Sequence, residues 1–284
     1  PPTEVQRVQW LDAYYPLLME RGLPCIRTAL LPLADQLIDA LQSPDDVQAR
    51  LGETLQPALT AAQLDLRRGL YIRTFLASLR NTHPAYYFAH TPKELHGTCF
   101  RVLQMMRGKN DVGGLALREY VSLEAIDLPA DGPGVSAVQV HHEMRLTIFQ
   151  GKLLMASFHG PFLQLSLGQQ DRLRQAFAAR APRTAVLADL SRRLQQAGLP
   201  DNYVADVAFL SNGQPVLVEL NPFYSAGSNV PAARAWLLVN LGAKLAEQAG
   251  YAPTLNERLR ELAAHLAGAP LYSDGVFLFG ADCI

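Results

Sequence analysis

The chain has 284 residues, with 25 basic and 26 acidic side chains, a net charge of −1 and a hydrophobic fraction of 49%. This lacks the basic excess by which a nucleic-acid-binding protein is usually recognised, and it is long enough to bury a sizeable core as one large domain or as two or three smaller ones. No apolar run reaches the roughly 18 residues of a membrane span, and Cys25, Cys99 and Cys283, far apart and odd in number, make neither a disulfide framework nor a zinc site, so a reducing cytoplasm is the expected compartment.

Residues 1–62 read as helices around one short strand and are expected to form a small N-terminal domain ahead of a larger one over 63–284. The start at Pro1-Pro2 leaves room for an earlier segment. Trp10, Tyr14, Leu17 and Leu18 recur at helical spacing with Gly22 as a stop, and Cys25 to Leu30 is a candidate strand. Ser43-Pro44-Asp45-Asp46 is a helix start, with Ser43 as cap, Pro44 in the first turn and acids near the positive end of the dipole. Gly69 to Phe75 alternates like a strand and carries Arg73, and the loop that follows carries Arg80. Thr91 and Glu94 then have the spacing of a capping box, opening a helix closed by Gly108 whose stripe is Leu95, Cys99, Val102, Leu103 and Met106.

Leu115 to Val121 reads as a strand, and 122–137 as a loop because of Pro129, Asp131, Gly132, Pro133 and Gly134. Val138 to Phe149 and Lys152 to Phe158 form a hairpin about Gln150-Gly151, with Met144, Leu146 and Ile148 on one face and Glu143, Arg145 and Thr147 on the other. His141 and His142, adjacent on a strand, point to opposite faces and cannot ligate one metal; His159 is given a structural place at the hairpin's end. Gly168 to Gly198 is expected to be helical, with Leu187, Leu190 and Leu194 as its stripe.

The most informative stretch is Tyr203 to Asn229. Asn212-Gly213 is a strong signal for a two-residue hairpin turn, and counting back from it sets Asp206 opposite Glu219, with Asn221 on the same face. Like charges directly opposite destabilise a sheet by up to about 1 kcal/mol. A divalent cation relieves that repulsion, and two carboxylates with a carboxamide oxygen are the hard donors Mg²⁺ prefers. The alternatives are that one acid is protonated or that both lean to solvent, Pro215 being suited to an edge strand. On this register either Asp206→Asn or Glu219→Gln should leave the fold intact or slightly more stable. Tyr224 to Asn229 is a small-residue loop leading into a helix from Val230-Pro231 to Gly250, and its unpaired N–H groups are apt for an anion of a second substrate or for a simple hydroxyl cap. A last helix opens at Thr254-x-x-Glu257, and Tyr272 to Phe279 is expected to return as a strand.

Asp206 followed by Glu219-Leu220-Asn221-Pro222-Phe223 resembles the metal-binding end of the ATP-grasp superfamily, and the order of the preceding strands over 69–229 is similar to that layout. The Asn-Pro-Phe ending is nearest to the cell-division-cycle ATP-grasp proteins that assist assembly of a eukaryotic translation initiation factor, and to a bacterial and phage clade. The resemblance implies an α+β ATP-grasp fold holding ATP between two antiparallel β-sheets with flanking helices. It implies Mg²⁺ on Asp206, Glu219 and Asn221; phosphates met by Arg73, in place of the family's Lys, by Arg80 and by Arg145; and ribose hydroxyls on Glu143. The adenine edge would meet the strand end Glu119-Tyr120-Val121, and a second substrate would meet Ser225, Gly227, Ser228 and Asn229. By implication Arg145 and Arg73 act on the transferring phosphoryl group of a carboxylate–amine ligase, whose partners are ATP, a carboxylate and an amine, with neither nucleic acid nor membrane. A nucleotide-binding assembly factor and, more distantly, a kinase are the other activities the resemblance allows. On the residues alone, Glu143 and Arg145 could instead be an ion pair on a solvated face, and Arg73 a strand residue facing water.

Overall fold

A computed structural model describes residues 11–75, 87–106, 113–149, 151–180, 183–223, 250 and 277–278. Its internal contacts divide the chain into two units, one built from 9–16 and 25–122, the other from 1–8, 17–24 and 123–284.

The first unit is organised on an antiparallel sheet in the order β1 (Thr28–Pro32), β4 (Gly114–Glu119), β2 (Leu70–Thr74), β3 (Phe88–Ala89). Its helices form where the sequence caps them. Ser43 accepts the Asp46 N–H at 3.2 Å and opens α3 (Pro44–Ala61), which follows α2 (Asp35–Ala40). Thr91 and Glu94 exchange the reciprocal bonds of a capping box, at 3.3 and 3.1 Å, and open α4 (Pro92–Met106). Val47, Leu51, Leu55 and Leu59 of α3 and Leu95, Cys99, Val102 and Leu103 of α4 are buried together with the sheet's Leu70, Ile72, Leu115 and Leu117. Burial pushes the Cys99 thiol up to about 12, so it packs as a small apolar group. In α1 (Leu11–Glu20) the buried arc is Leu11, Tyr14, Tyr15 and Leu18, which leaves Leu17, expected inside, 36% exposed. Trp10 and Gly108 lie outside the described residues.

The second unit carries a sheet in the order β10 (Pro215–Pro222), β9 (Tyr203–Phe209), β7 (Glu143–Phe149), β8 (Lys152–Phe158), β11 (Phe277–Leu278), all antiparallel. Pro215 begins an edge strand, where its missing N–H is harmless. The segment expected as one loop contains β5 (Ala125–Leu128), which pairs with β6 (Val138–His141) in a two-stranded ribbon. His142 lies between β6 and β7: its N–H donates to the Glu124 carbonyl and its carbonyl accepts the Phe209 N–H, both at 2.9 Å, so the chain changes partners there. The helical stretch before β9 is two helices, α5 (Leu167–Ala178) and α6 (Thr184–Gln195), the sequence carrying Pro182 between them. Ser166 caps α5 in a capping box with Gln169. The 230–250 helix and the Thr254-x-x-Glu257 start fall outside the described residues.

Candidate functional site

The site is set by how the β9–β10 hairpin counts its residues. Leu210, not Ser211, is the last paired residue: its N–H donates to the Gln214 carbonyl at 2.8 Å, and the Gly213 N–H donates to the Leu210 carbonyl at 2.7 Å. The loop therefore has three residues, with Gly213 alone at positive φ (+82°), the arrangement of a type I turn followed by a left-handed residue. This moves the ladder one step from the two-residue expectation, pairing Pro215 with Phe209. A bulge between Leu217 and Glu219 then moves it back, and Glu219 stands opposite Asp206. Bulges commonly re-aim a side chain beside a functional site.

Across the next ladder Asp206 faces Arg145 of β7. Glu219, Asp206 and Arg145 thus stand side by side on three adjoining strands, with Asn221 one pleat along on the same face in one direction and Glu143 one pleat along in the other. Asp206 is fully buried, and Glu219 and Arg145 are 6% and 9% exposed. Arg145 grips Asp206 with both arms, Nε to Oδ1 at 2.7 Å and Nη2 to Oδ2 at 2.8 Å, the bidentate geometry in which a guanidinium binds most strongly. Asn221 Nδ2 donates to Asp206 Oδ2 at 3.1 Å and to Glu219 Oε1 at 3.2 Å, which leaves Oδ1 on the other branch of the amide. The solvated-face readings of Arg145 and of the Asp206–Glu219 pair are therefore not what is observed: all three are buried.

His159 joins this cluster, although its position in the sequence suggests only a structural place. Its N–H donates to the Glu143 carbonyl at 2.8 Å, and its Nε2 lies 3.3 Å from Arg145 Nη2, 3.8 Å from Asp206 Oδ2 and 4.0 Å from Glu143 Oε1. A plain two-residue register about Gln150-Gly151 would set His159 opposite His142. An irregularity between Thr147 and Ile148 shifts the β7–β8 ladder by one and brings it beside Glu143. A histidine two residues beyond a small strand residue facing an arginine was the available signal, and it needed that shift to be read.

The remaining expected residues belong to the first unit or lie outside the described residues. Arg73 is 4% exposed, and its Nε donates to the Thr74 carbonyl at 3.1 Å, so it is not a solvent-facing strand residue. Glu119 receives both arms of Arg27, Nε to Oε2 at 2.8 Å and Nη2 to Oε1. The Glu119 N–H donates to the Arg27 carbonyl at 2.9 Å and the Tyr120 N–H to the Gly69 carbonyl at 3.1 Å. Gly69 has φ +93°, and a Cβ there would sit 2.6 Å from His90 Cε1, so the turn that offers this carbonyl admits only glycine. The Tyr120 ring is 54% exposed and meets Phe88 edge-on at 5.4 Å, and Val121 follows half-buried. Arg80, Ser225, Gly227, Ser228 and Asn229 are outside the described residues.

The donor set suits a hard divalent cation: a carboxylate oxygen of Asp206 lies within 4.8 Å of ligand atoms of Glu143 and His159, the Asn221 amide joins Asp206 to the Glu219 carboxylate on the other side, and the buried position of Asp206 and Glu219 reduces the water that would screen them. A family model of the ATP-grasp domain, the third family of its clade, matches residues 49–245, well over half of the chain. The chain belongs to that ATP-grasp family. Among solved structures this ATP-grasp chain is similar to Cdc123 from Schizosaccharomyces pombe (TM-score 0.51, 13% identity, 78% of this chain and 85% of that one) and to its C-terminally truncated form (TM-score 0.50, 12% identity, 78% and 86%). It also matches N5-carboxyaminoimidazole synthetase from Staphylococcus aureus complexed with ADP (TM-score 0.43, 12% identity, 80% and 48%). No curated protein sequence matches significantly. The α+β architecture and the superfamily expected from the motifs are thus those of the ATP-grasp domain, a nucleotide-binding fold. Among the described residues, no helix is long and apolar enough to cross a membrane.

Proposed function

We propose that this ATP-grasp protein binds ATP with Mg²⁺ and uses it to join a carboxylate to an amine through an acyl phosphate. The observation that carries the reading is the convergence of Arg145, Asp206, Glu219 and Asn221 on three neighbouring strands, the first three of them buried. Asp206 and Glu219 would hold the ion, and Asn221, whose Nδ2 now donates to both carboxylates, would offer its amide oxygen as a further donor once the amide turns over. When bound, Mg²⁺ neutralises charge on the phosphates and orients the γ-phosphoryl group. Arg145 has a rigid fork suited to phosphate oxygens, and it would turn from Asp206 to the transferring group once an ion takes its place on that carboxylate. Arg73 and Arg80 are assigned to the phosphates, the Glu119-Tyr120-Val121 backbone to the adenine edge, Glu143 to the ribose, and Ser225, Gly227, Ser228 and Asn229 to the second substrate. A substrate carboxylate oxygen attacks the γ-phosphorus and ADP leaves; the amine nitrogen then attacks the acyl carbon, phosphate leaves, and the amine gives up a proton. The expected compartment is the cytoplasm, where such substrates and ATP are at hand.

The same fold also suits a nucleotide-binding assembly factor, in which ATP shapes a partner surface and is not consumed, and, less well, a kinase. Hydroxylamine separates the three. With Mg-ATP and a pool of amino acids or small peptides, a ligase releases ADP in step with a trapped hydroxamate, and Glu219→Gln stops both. Tight Mg-ATP binding with neither ADP nor hydroxamate would sink the ligase reading in favour of the assembly factor, whereas a phosphorylated product without hydroxamate would point to the kinase.

A further inference from the structure

We propose that His159 is a nitrogen ligand of the cation site, so that this centre takes Mn²⁺ in preference to Mg²⁺. The inference rests on the reading above that Asp206 carries the cation; it moves Glu143 from the ribose to the ion, and it adds a ligand and a metal preference that an all-oxygen set would not give. Glu143, His159 and Asp206 each present one ligand atom, and the three atoms lie within 4.8 Å of one another. They come from β7, from the residue after β8 and from β9, elements locked in one ladder, so their spacing is fixed by backbone pairing. Donors around a single ion with bonds of about 2.1 Å sit roughly 3 to 4 Å apart, close to the 3.8 and 4.0 Å found from His159 Nε2 to the two carboxylates.

The ring's tautomer supports the same conclusion. Nε2 is 3.3 Å from Arg145 Nη2, and a guanidinium can only donate. Nε2 therefore presents a lone pair to the cluster, with the ring hydrogen on Nδ1, and that lone pair is what a metal takes from neutral imidazole. In this arrangement the cation between Nε2 and Asp206 Oδ2 is the Arg145 guanidinium, 2.8 Å from Oδ2. A divalent ion that takes those two atoms takes them from Arg145 and leaves its fork available to phosphate. Imidazole favours first-row transition ions, while two carboxylates remain acceptable to Mn²⁺, so the mixed set raises Mn²⁺ above Mg²⁺, which keeps to oxygen.

The test is metal titration of the whole chain without nucleotide. Calorimetry should give wild-type Mn²⁺ affinity at least about tenfold above Mg²⁺, and pulsed EPR of the Mn²⁺ complex should show hyperfine coupling to a directly bound imidazole nitrogen. His159→Ala and His159→Gln should both lose that coupling and most of the preference while still binding Mg²⁺. A wild-type Mn²⁺ complex without nitrogen coupling overturns the inference, needs no variant to be read, and leaves the all-oxygen reading standing. A preference that survives both substitutions overturns it equally. Affinity for both ions undiminished in Glu219→Gln would place the ion away from the hairpin, and would overturn the inference together with the reading it rests on.

Discussion

Two charged clusters lie in the same unit, and they are built on opposite plans. In the first, Glu124 is a single carboxylate held by two guanidiniums, Arg180 Nε to Oε1 at 2.9 Å and Arg183 Nη1 to Oε2, with His142 Nδ1 3.0 Å away. Burial would raise the Glu124 carboxyl, but hydrogen bonds from Arg183, His142 and Arg180 outweigh it and hold the group down at about 2. His142 lies stacked on Phe209 at 4.4 Å and edge-on to Phe177 at 4.7 Å. In the second cluster three carboxylates, Glu143, Asp206 and Glu219, share a face, and the guanidinium of Arg145 is engaged with Asp206. Arginines in excess over one acid fasten the α5–α6 turn to the sheet and make a closed structural joint. Acids gathered on one face are, on the function proposed above, what would draw a cation from outside. The sign of the local excess, more than burial or hydrogen-bond count, separates the joint from the site.

The comparison breaks most visibly at Asp206. The sequence register treats Asp206 and Glu219 as equivalent members of a repelling pair, so that removing either charge should be harmless. The structure separates them. Asp206→Asn takes the partner from a buried bidentate guanidinium, and thermal or denaturant unfolding should show a loss of about 3 to 5 kcal/mol. Glu219→Gln removes a like charge beside Asp206 and should stay within about 1 kcal/mol of wild type or gain slightly. Both should abolish the Mg²⁺-dependent part of the ATP-induced rise in Tm. Equal stabilities for the two variants would mean that the Arg145 grip contributes nothing to the fold.

Glu124→Gln sharpens the comparison from the other side. It weakens charge-assisted bonds to two arginines that remain partly reachable by water, so the expected cost is about 2 kcal/mol. The Mg-ATP shift in Tm should be unchanged, because Glu124 belongs to the joint. A lost nucleotide shift in a folded Glu124→Gln protein would show that the two clusters do not divide in this way.

How far the sequence could be read depended on whether a residue's place is fixed by local periodicity or by a departure from it. Ser43, Thr91 and Glu94 are caps set by spacing alone, and the stripe Leu95 to Leu103 follows helical periodicity, so all were legible. Asp206 and Glu219 faced each other as read because two departures cancel: the three-residue loop shifts the ladder and the Val218 bulge restores it. The β7–β8 hairpin has an irregularity with nothing to cancel it, so a plain register would there set His159 opposite His142 and miss its neighbours at Glu143 and Arg145. Glu124 was hidden for a different reason. It sits in a stretch whose prolines and glycines suggest a loop, and its partners come from a turn 56 and 59 residues later, a distance that no local pattern spans.

The smallest effect expected is a matter of pH, and it tests whether the joint is neutral at its histidine. Burial is the main cause that lowers His142 from its ordinary 6.5 to about 4, with Arg183 and Arg180 adding to it, while the hydrogen bond and charge of Glu124 work the other way. The groups facing the ring are thus Glu124, Arg180 and Arg183, beside the apolar Phe177 and Phe209. With the folded value below the unfolded one, the unfolded chain takes up the proton first on acidification. The stability that His142 contributes is therefore fully present above its ordinary value and is lost as pH falls towards its folded value. Between about pH 7 and pH 5 that loss is roughly 1 to 2 kcal/mol. Glu124, held near 2, does not titrate in that window. His142→Phe keeps an aromatic ring against Phe209 and carries no proton, so its baseline stability should fall while its Tm declines less steeply over the same pH range. Parallel slopes for the two proteins would mean that His142 enters the fold already able to hold its charge, and the joint would then be an ionic network of four members in place of a carboxylate clamped by two arginines beside a neutral ring.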